Sequence, residues 1–225
     1  MIVYEESEPQ GERNGPQRDQ AYCRLRQILI LHQAPEGKRL NEETWAKRLE
    51  VNRAALREAF ARLEAEGLIV KGVMPGYFVP KLDRDDVGEI FEVRIMLEGG
   101  AIDRIIRKGL NTAANLAPLK ESCVELAENV RKADYVLVAQ ADRNFHESLV
   151  KVSRNRRLSI LYQRAPLPIL PPDAVSGDEW MARVERTLQE HQSLIELILA
   201  GDNAAANAML RTHLQERFHL PLRVV

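Results

Sequence analysis

One aspartate and three histidines in the second half of the chain have the side chains and spacings that could bind a metal ion. Asp142 and His146, in Asp-Arg-Asn-Phe-His, are four residues apart and on a helix would point to one side. His191 stands just ahead of the apolar Leu194, Ile195, Leu197 and Ile198, and His213 sits in Met-Leu-Arg-Thr-His-Leu. A carboxylate and three imidazoles from three helices can converge inside a bundle, which is how helical folds build metal sites. Hard oxygen with borderline nitrogen donors suits a divalent transition metal (Zn, Ni, Mn or Fe) better than Ca or Cu(I). Spacing alone favours a plainer alternative. A histidine on an apolar face is more often a hydrogen-bonded core residue, and Asp142 with His146 can be a simple ion pair. His32 and His219 fall to that alternative, His32 fitting a helix C-terminus.

A second constellation is Asn52-Arg53-Ala54-Ala55-Leu56-Arg57-Glu58-Ala59-Phe60-Ala61-Arg62-Leu63. Leu56, Ala59, Phe60 and Leu63 recur at helical spacing and face inward. Arg53 and Arg57 share an outer face near the helix start. There an arginine can bond guanine O6 and N7 in a major groove, or clamp phosphate. Ala54 and Ala55 are small enough for close approach and for contact with a thymine methyl. The net charge of −1 argues against a polybasic nucleic-acid binder, but that charge is unevenly spread. Residues 13–80 hold 12 Lys/Arg against 8 Asp/Glu, residues 1–12 hold four acids and no base, and residues 81–225 hold 20 against 21. The basic excess is confined to the segment with the arginine pair. A small helical docking domain with a solvated Arg face fits the same spacing.

The elements that must position these residues follow from pattern and punctuation. A chain of 225 residues is one large domain or two small ones. Hydrophobic content of 45% with 29% charged excludes a disordered protein. No uncharged apolar run reaches 18 residues, so no membrane-spanning helix is expected. The first residues carry acids where a signal peptide needs a basic start. Cys23 and Cys123 have no CxxC or metal spacing and read as two reduced, buried thiols. The expectation is a cytoplasmic, mainly α protein.

Residues 1–16 read as a mobile tail. Apolar spacing predicts a helix over 17–33, then a short one capped by Asn41 that buries Trp45, Ala46 and Leu49. Asn52 caps a third, which runs to about Glu66 and is ended by Gly67. Two β-rich runs, 68–71 and 77–80, flank a Gly/Pro turn and read as a hairpin. Helix, short helix, tight turn, helix and hairpin make a winged helix-turn-helix over 17–80. After the linker Pro80-Lys81-Leu82, patterns at about 83–108, 112–132, 134–152, 155–164, 179–200 and 202–218 predict an antiparallel bundle of about six helices, making residues 81–225 the second domain. The segment 165–178 has four prolines and cannot be helical throughout.

Residues 37–70 resemble the DNA-binding domain of GntR-family bacterial transcription regulators. The resemblance lies in Gly37…Leu40…Ala46…Leu49…Val51-x-Arg53-x-x-Leu56-Arg57-Glu58-Ala59…Leu63…Glu66-Gly67-Leu68, closed by the wing Gly76-Tyr77-Phe78-Val79. It implies that Arg53 and Arg57 contact DNA and that Gly76 sits in or against the minor groove. There are three departures. Asn52 replaces the usual Ser or Thr but can still cap the helix and bond phosphate. Pro75 precedes the wing glycine. Glu43 stands where some members have another DNA-contacting Arg, so that contact is not carried over.

Residues 83–218 look like the FCD effector-binding domain of the FadR subfamily. The matches are Asp86-x-x-Glu89-Ile90-x-Glu92-Val93-Arg94-x-x-Leu97-Glu98, Asp142-x-x-Phe145-His146, Asn155, Glu190-His191 and Met209-x-x-x-His213-Leu214. This resemblance implies that Asp142, His146, His191 and His213 coordinate a metal. Six helices rather than seven point to the VanR-like branch. The implied effector is a small organic acid, its charge countered by the metal and by Arg94, although Arg94 stands four residues before Glu98 and equally suits an intrahelical ion pair. The expected protein is a homodimeric regulator, more often a repressor in this family, that binds a pseudo-palindromic double-stranded DNA operator and no membrane. It is not expected to be an enzyme. The rivals are a metal-dependent hydrolase using the same Asp/His group, a purely structural zinc, and a direct metal sensor.

Overall fold

The computed structural model describes residues 17–30, 33–73, 75–81, 83–132, 134–163 and 178–218. The tail expected over 1–16, nearly all of the proline-rich segment, His32 and His219 lie outside these residues.

The N-terminal unit holds three helices, α1 (Gln17–Ile30), α2 (Glu42–Arg48) and α3 (Arg53–Ala65). Asn41 starts α2 by accepting hydrogen bonds from the amides of Glu43 and Thr44, and the acids Glu42 and Glu43 lie at the positive end of its dipole. Asn52 starts α3 by accepting from the Ala55 amide at 2.8 Å. Gly67 follows α3 at φ 76°, a left-handed conformation that a Cβ would strain. The apolar faces of these helices meet around Leu25, Trp45, Leu49, Leu56, Phe60, Leu63 and Ile69.

The hairpin gains a third strand that the sequence pattern did not predict. β1 (Arg39–Leu40) pairs antiparallel with β3 (Tyr77–Phe78), which also pairs with β2 (Val70–Lys71), giving the order β1-β3-β2. Arg39 lies opposite Phe78 and Leu40 opposite Tyr77. A two-residue strand has no alternation to read, and its partner lies far along the sequence. The wing is thus tied to the segment just before α2.

The C-terminal unit consists, among the described residues, of six helices. They are α4 (Arg84–Arg107), α5 (Ala117–Arg131), α6 (Tyr135–Val152), α7 (Arg156–Gln163), α8 (Asp178–Ala200) and α9 (Asn203–Phe218). Asp83 opens α4 with a reciprocal capping box to Asp86. The core runs through Phe91, Ile102, Ile105, Leu119, Phe145, Leu149, Leu194, Ile198, Leu210 and Leu214. Cys123 is buried as expected, but Cys23 is exposed. Cys23 lies off the α1 stripe of Ala21, Leu25 and Leu29 that enters the core.

Phe60 is fully buried, with its ring 5.1 Å from that of Tyr77 on the wing. Phe60→Ala is expected to destabilise the N-terminal unit by about 3–5 kcal/mol. Urea unfolding followed by tryptophan fluorescence checks this, because Trp45 lies in the same core.

Candidate functional site

Three helices bring the predicted ligand set together. Helix α6 supplies Asp142 and His146 from one face, α8 supplies His191 and α9 supplies His213. One donor atom from each of the four lies within 4.8 Å of the others. His146 Nε2 is 3.2 Å from His213 Nε2. Asp142 Oδ1 is 3.5 Å from His191 Nε2 and 3.9 Å from His146 Nε2. The three imidazoles are buried and Asp142 is partly exposed. Phe145 stacks on His191 with centroids 3.7 Å apart and the rings inclined by 3°, which fixes the plane of that imidazole.

Two glutamates behind these rings determine what the ring edges offer. Glu98 Oε2 is 2.7 Å from His146 Nδ1, and Glu190 Oε2 is 2.6 Å from His213 Nδ1. An ionised carboxylate can only accept, so each Nδ1 carries the proton and donates. In a neutral ring Nε2 then keeps its lone pair. With both rings neutral, as coordination of a metal requires, the two Nε2 atoms and the carboxylate of Asp142 converge on one small volume. Such an electron-rich cluster fits a cation, and an outward carboxylate on a histidine is the usual support of a metal ligand.

Glu98 is itself held from three sides. Its Oε1 accepts from Arg94 Nε at 2.9 Å and from the Tyr162 hydroxyl at 2.8 Å, and Arg94 Nη2 reaches the same hydroxyl at 3.5 Å. Burial alone would raise the Glu98 carboxyl, but His146 and Arg94 outweigh it and hold the group down at about 2. Burial, then the neighbouring Glu98, push the Tyr162 hydroxyl well above its ordinary value, so it remains a donor. The Cys123 thiol is raised to about 11 by burial and by nearby Asp142. Arg94, expected against the effector, is thus found in the ion pair with Glu98. Sequence reasoning gave no role to Tyr162, to Glu190 or to the Glu98 contact with His146. The available signal was the Arg94/Glu98 pair on a helix whose other buried positions are apolar.

At the other end of the chain, Arg53, Ala54 and Arg57 share an exposed face of α3. Ala55 does not join them. It is buried, because its position on the wheel lies beside Leu56 and Ala59. Both arginines are met by acids of α2, Arg57 Nε by Glu42 Oε2 at 2.8 Å and Arg53 Nη2 by Glu43 Oε2 at 3.4 Å. The Asn52 side chain is engaged as the α3 cap, and its Nδ2 donates to Gln17 Oε1 at 2.6 Å. Gly76 lies at φ 131° in the turn of the wing.

Glu98→Gln leaves the buried Arg94 without its counter-charge and is expected to cost about 3–5 kcal/mol at neutral pH, read as a lower unfolding midpoint. The folded Glu98 value lies below its unfolded 4.5, so its contribution is full above pH 4.5 and is lost as pH falls towards about 2. The variant should show a smaller loss of stability over that interval.

Comparison with known proteins agrees with the two units of the fold. The family profile "Bacterial regulatory proteins, gntR family" matches residues 17–79, and the FCD domain profile matches residues 89–216. The chain is 27% identical over 197 residues to the HTH-type transcriptional regulator YdhC of Bacillus subtilis, with 86% of each chain covered. It is 26% identical to the HTH-type transcriptional regulator LutR of the same organism, over 80% of this chain and 89% of that one. Among solved structures, E. coli McbR/YncC superposes with a TM-score of 0.77 at 20% identity, covering 90% of this chain and 95% of that one, a likeness of fold. The chain belongs to the GntR family of bacterial regulatory proteins, as a DNA-binding transcriptional regulator that joins a winged helix-turn-helix to an FCD domain.

Proposed function

We propose that this regulator is a cytoplasmic homodimeric repressor that reads a pseudo-palindromic operator, and that a small organic acid bound at a metal site in the bundle adjusts its operator affinity. The observation that carries the reading is the convergence of Asp142, His146, His191 and His213, with two ring Nδ1 atoms anchored on Glu98 and Glu190. These four residues would hold a divalent ion, Zn, Ni, Mn or Fe, by the chemistry of the donor set. When bound, the ion supplies positive charge and coordination positions that a carboxylate can fill. The engagement of Arg94 by Glu98 and Tyr162 supports a positioning role for it, in which it holds Glu98 against His146.

On the DNA side, Arg53, Ala54 and Arg57 meet the major groove, Asn52 fixes the helix start beside a phosphate, and Gly76 carries the wing. Two copies related by a two-fold axis match the two halves of a palindrome. The effector acts through its different affinity for the DNA-competent and DNA-incompetent states.

Arg57→Ala is expected to weaken binding to an operator selected from random duplexes by about 1–3 kcal/mol in fluorescence anisotropy. An unchanged affinity would remove Arg57 from the reader. His213→Ala is expected to lower the metal content of the purified protein, measured by elemental analysis. It should also abolish any rise in melting temperature that small carboxylates give the metal-loaded wild type. Full metal content in that variant would sink the metal site.

A further inference from the structure

A cleft of about 310 Å³ separates the wing from the start of α3, lined by Arg39, Asn41, Glu42, Glu43, Arg53 and Gly76 among others. Most of its charged groups are already engaged. Glu43 meets Arg53 and Lys47, and Glu42 meets Arg57. The Arg39 guanidinium is the exception. Arg39 is exposed and, among the described residues, makes no ion pair or side-chain hydrogen bond.

Its backbone is nevertheless fixed. The Arg39 backbone is one rung of the β1–β3 ladder, opposite Phe78. Its side chain lies across Gly76, where a Cβ would come within 2.7 Å of Arg39 Nε. The turn of the wing needs glycine for its φ, and the Arg39 side chain lies against it. The result is an exposed cation beside the wing turn that lines the cleft.

In a winged helix-turn-helix the recognition helix enters the major groove and the wing approaches the neighbouring minor groove. One sugar-phosphate strand must cross between them. The cleft is where that strand passes, and a guanidinium matches a phosphate with two parallel N–H donors. The carboxylates of Glu42 and Glu43 line the same cleft and would repel the strand, so an uncommitted cation there has a definite task.

We propose that Arg39 is a further DNA-binding residue of this chain, clamping the phosphate strand that crosses between wing and recognition helix. The contact positions the reader and carries no sequence information. It rests on the DNA-binding function of the family, and it adds a residue outside the recognition helix.

The test uses the full chain, a selected operator and an unrelated duplex, with fluorescence anisotropy over a series of salt concentrations. Arg39→Gln should weaken both duplexes alike, by about tenfold at low salt, and reduce the log–log salt slope by about one. Arg39→Lys should restore most of that slope, because the charge returns without the fork, and circular dichroism melting should show both variants folded. An unchanged slope and affinity in Arg39→Gln overturns the proposal. A loss confined to the selected operator also overturns it, since that would make Arg39 a reader of bases. A wild-type chain that binds neither duplex would instead sink the DNA-binding reading, and the proposal with it.

Discussion

A carboxylate taken fully out of water costs several kcal/mol unless positive charge and hydrogen bonds surround it, and Glu98 is such a carboxylate. Its satisfaction requires Arg94 from its own helix, Tyr162 from α7 and His146 from α6. One charge therefore fixes how three helices approach one another at the centre of the bundle. The same bonds orient the His146 ring, because the atom that faces Glu98 must be the protonated Nδ1. Nε2 is then turned towards His213, His191 and Asp142. An apolar residue in place of Glu98 could fill the space, but it would leave the buried Arg94 unpaired and the ring free to turn. His213 repeats the device more locally, through Glu190 on the neighbouring helix α8.

Much of this was legible because local signals and tertiary structure agree. The expected start of the bundle at residue 83 and the expected break between 200 and 202 are where Asp83 caps α4 and where Gly201 and Asp202 part α8 from α9. Asp142 and His146 could be placed on one face because the helical period requires it. What escaped depends on the approach of distant segments. β1 exists only because Arg39 and Leu40 meet Phe78 and Tyr77, and Tyr162 acquires its role only when α7 folds against α4. Ala55 is a different kind of miss, since its step of one residue from Ala54 already turns it towards the core.

The distribution of charge in the reader explains how a chain of net charge −1 can bind DNA. The arginines of α3 project from an exposed face while Glu42 and Glu43 hold their guanidiniums. The side chains of Arg53 and Arg57 are 61% and 65% exposed, and ion pairs of that kind contribute about 1 kcal/mol or less. Releasing either guanidinium from its glutamate is therefore inexpensive. The acids lower the general attraction to any polyanion.

Helix α6 ties the two halves of the molecule together. Asp142 and His146 occupy one of its faces, and the next face carries Arg143 and Glu147, again four residues apart and paired at 2.7 Å. Glu147 also lies 3.7 Å from Arg26 of α1, and Arg26 Nε bonds Glu66 at 3.0 Å. Glu66 is the C-cap residue of the recognition helix and accepts a further bond from Tyr22. These groups are mostly shielded from water, with Arg26 18% and Glu147 17% exposed, so the contacts are screened less than surface pairs. A change in the ligand cluster that turns or shifts α6 moves Glu147 with it, because both sets of side chains share one rigid helix. A ligand can alter DNA affinity only through contacts that differ between two states. For the effector proposed above, the ionic run between bundle and reader is where such a difference would be felt.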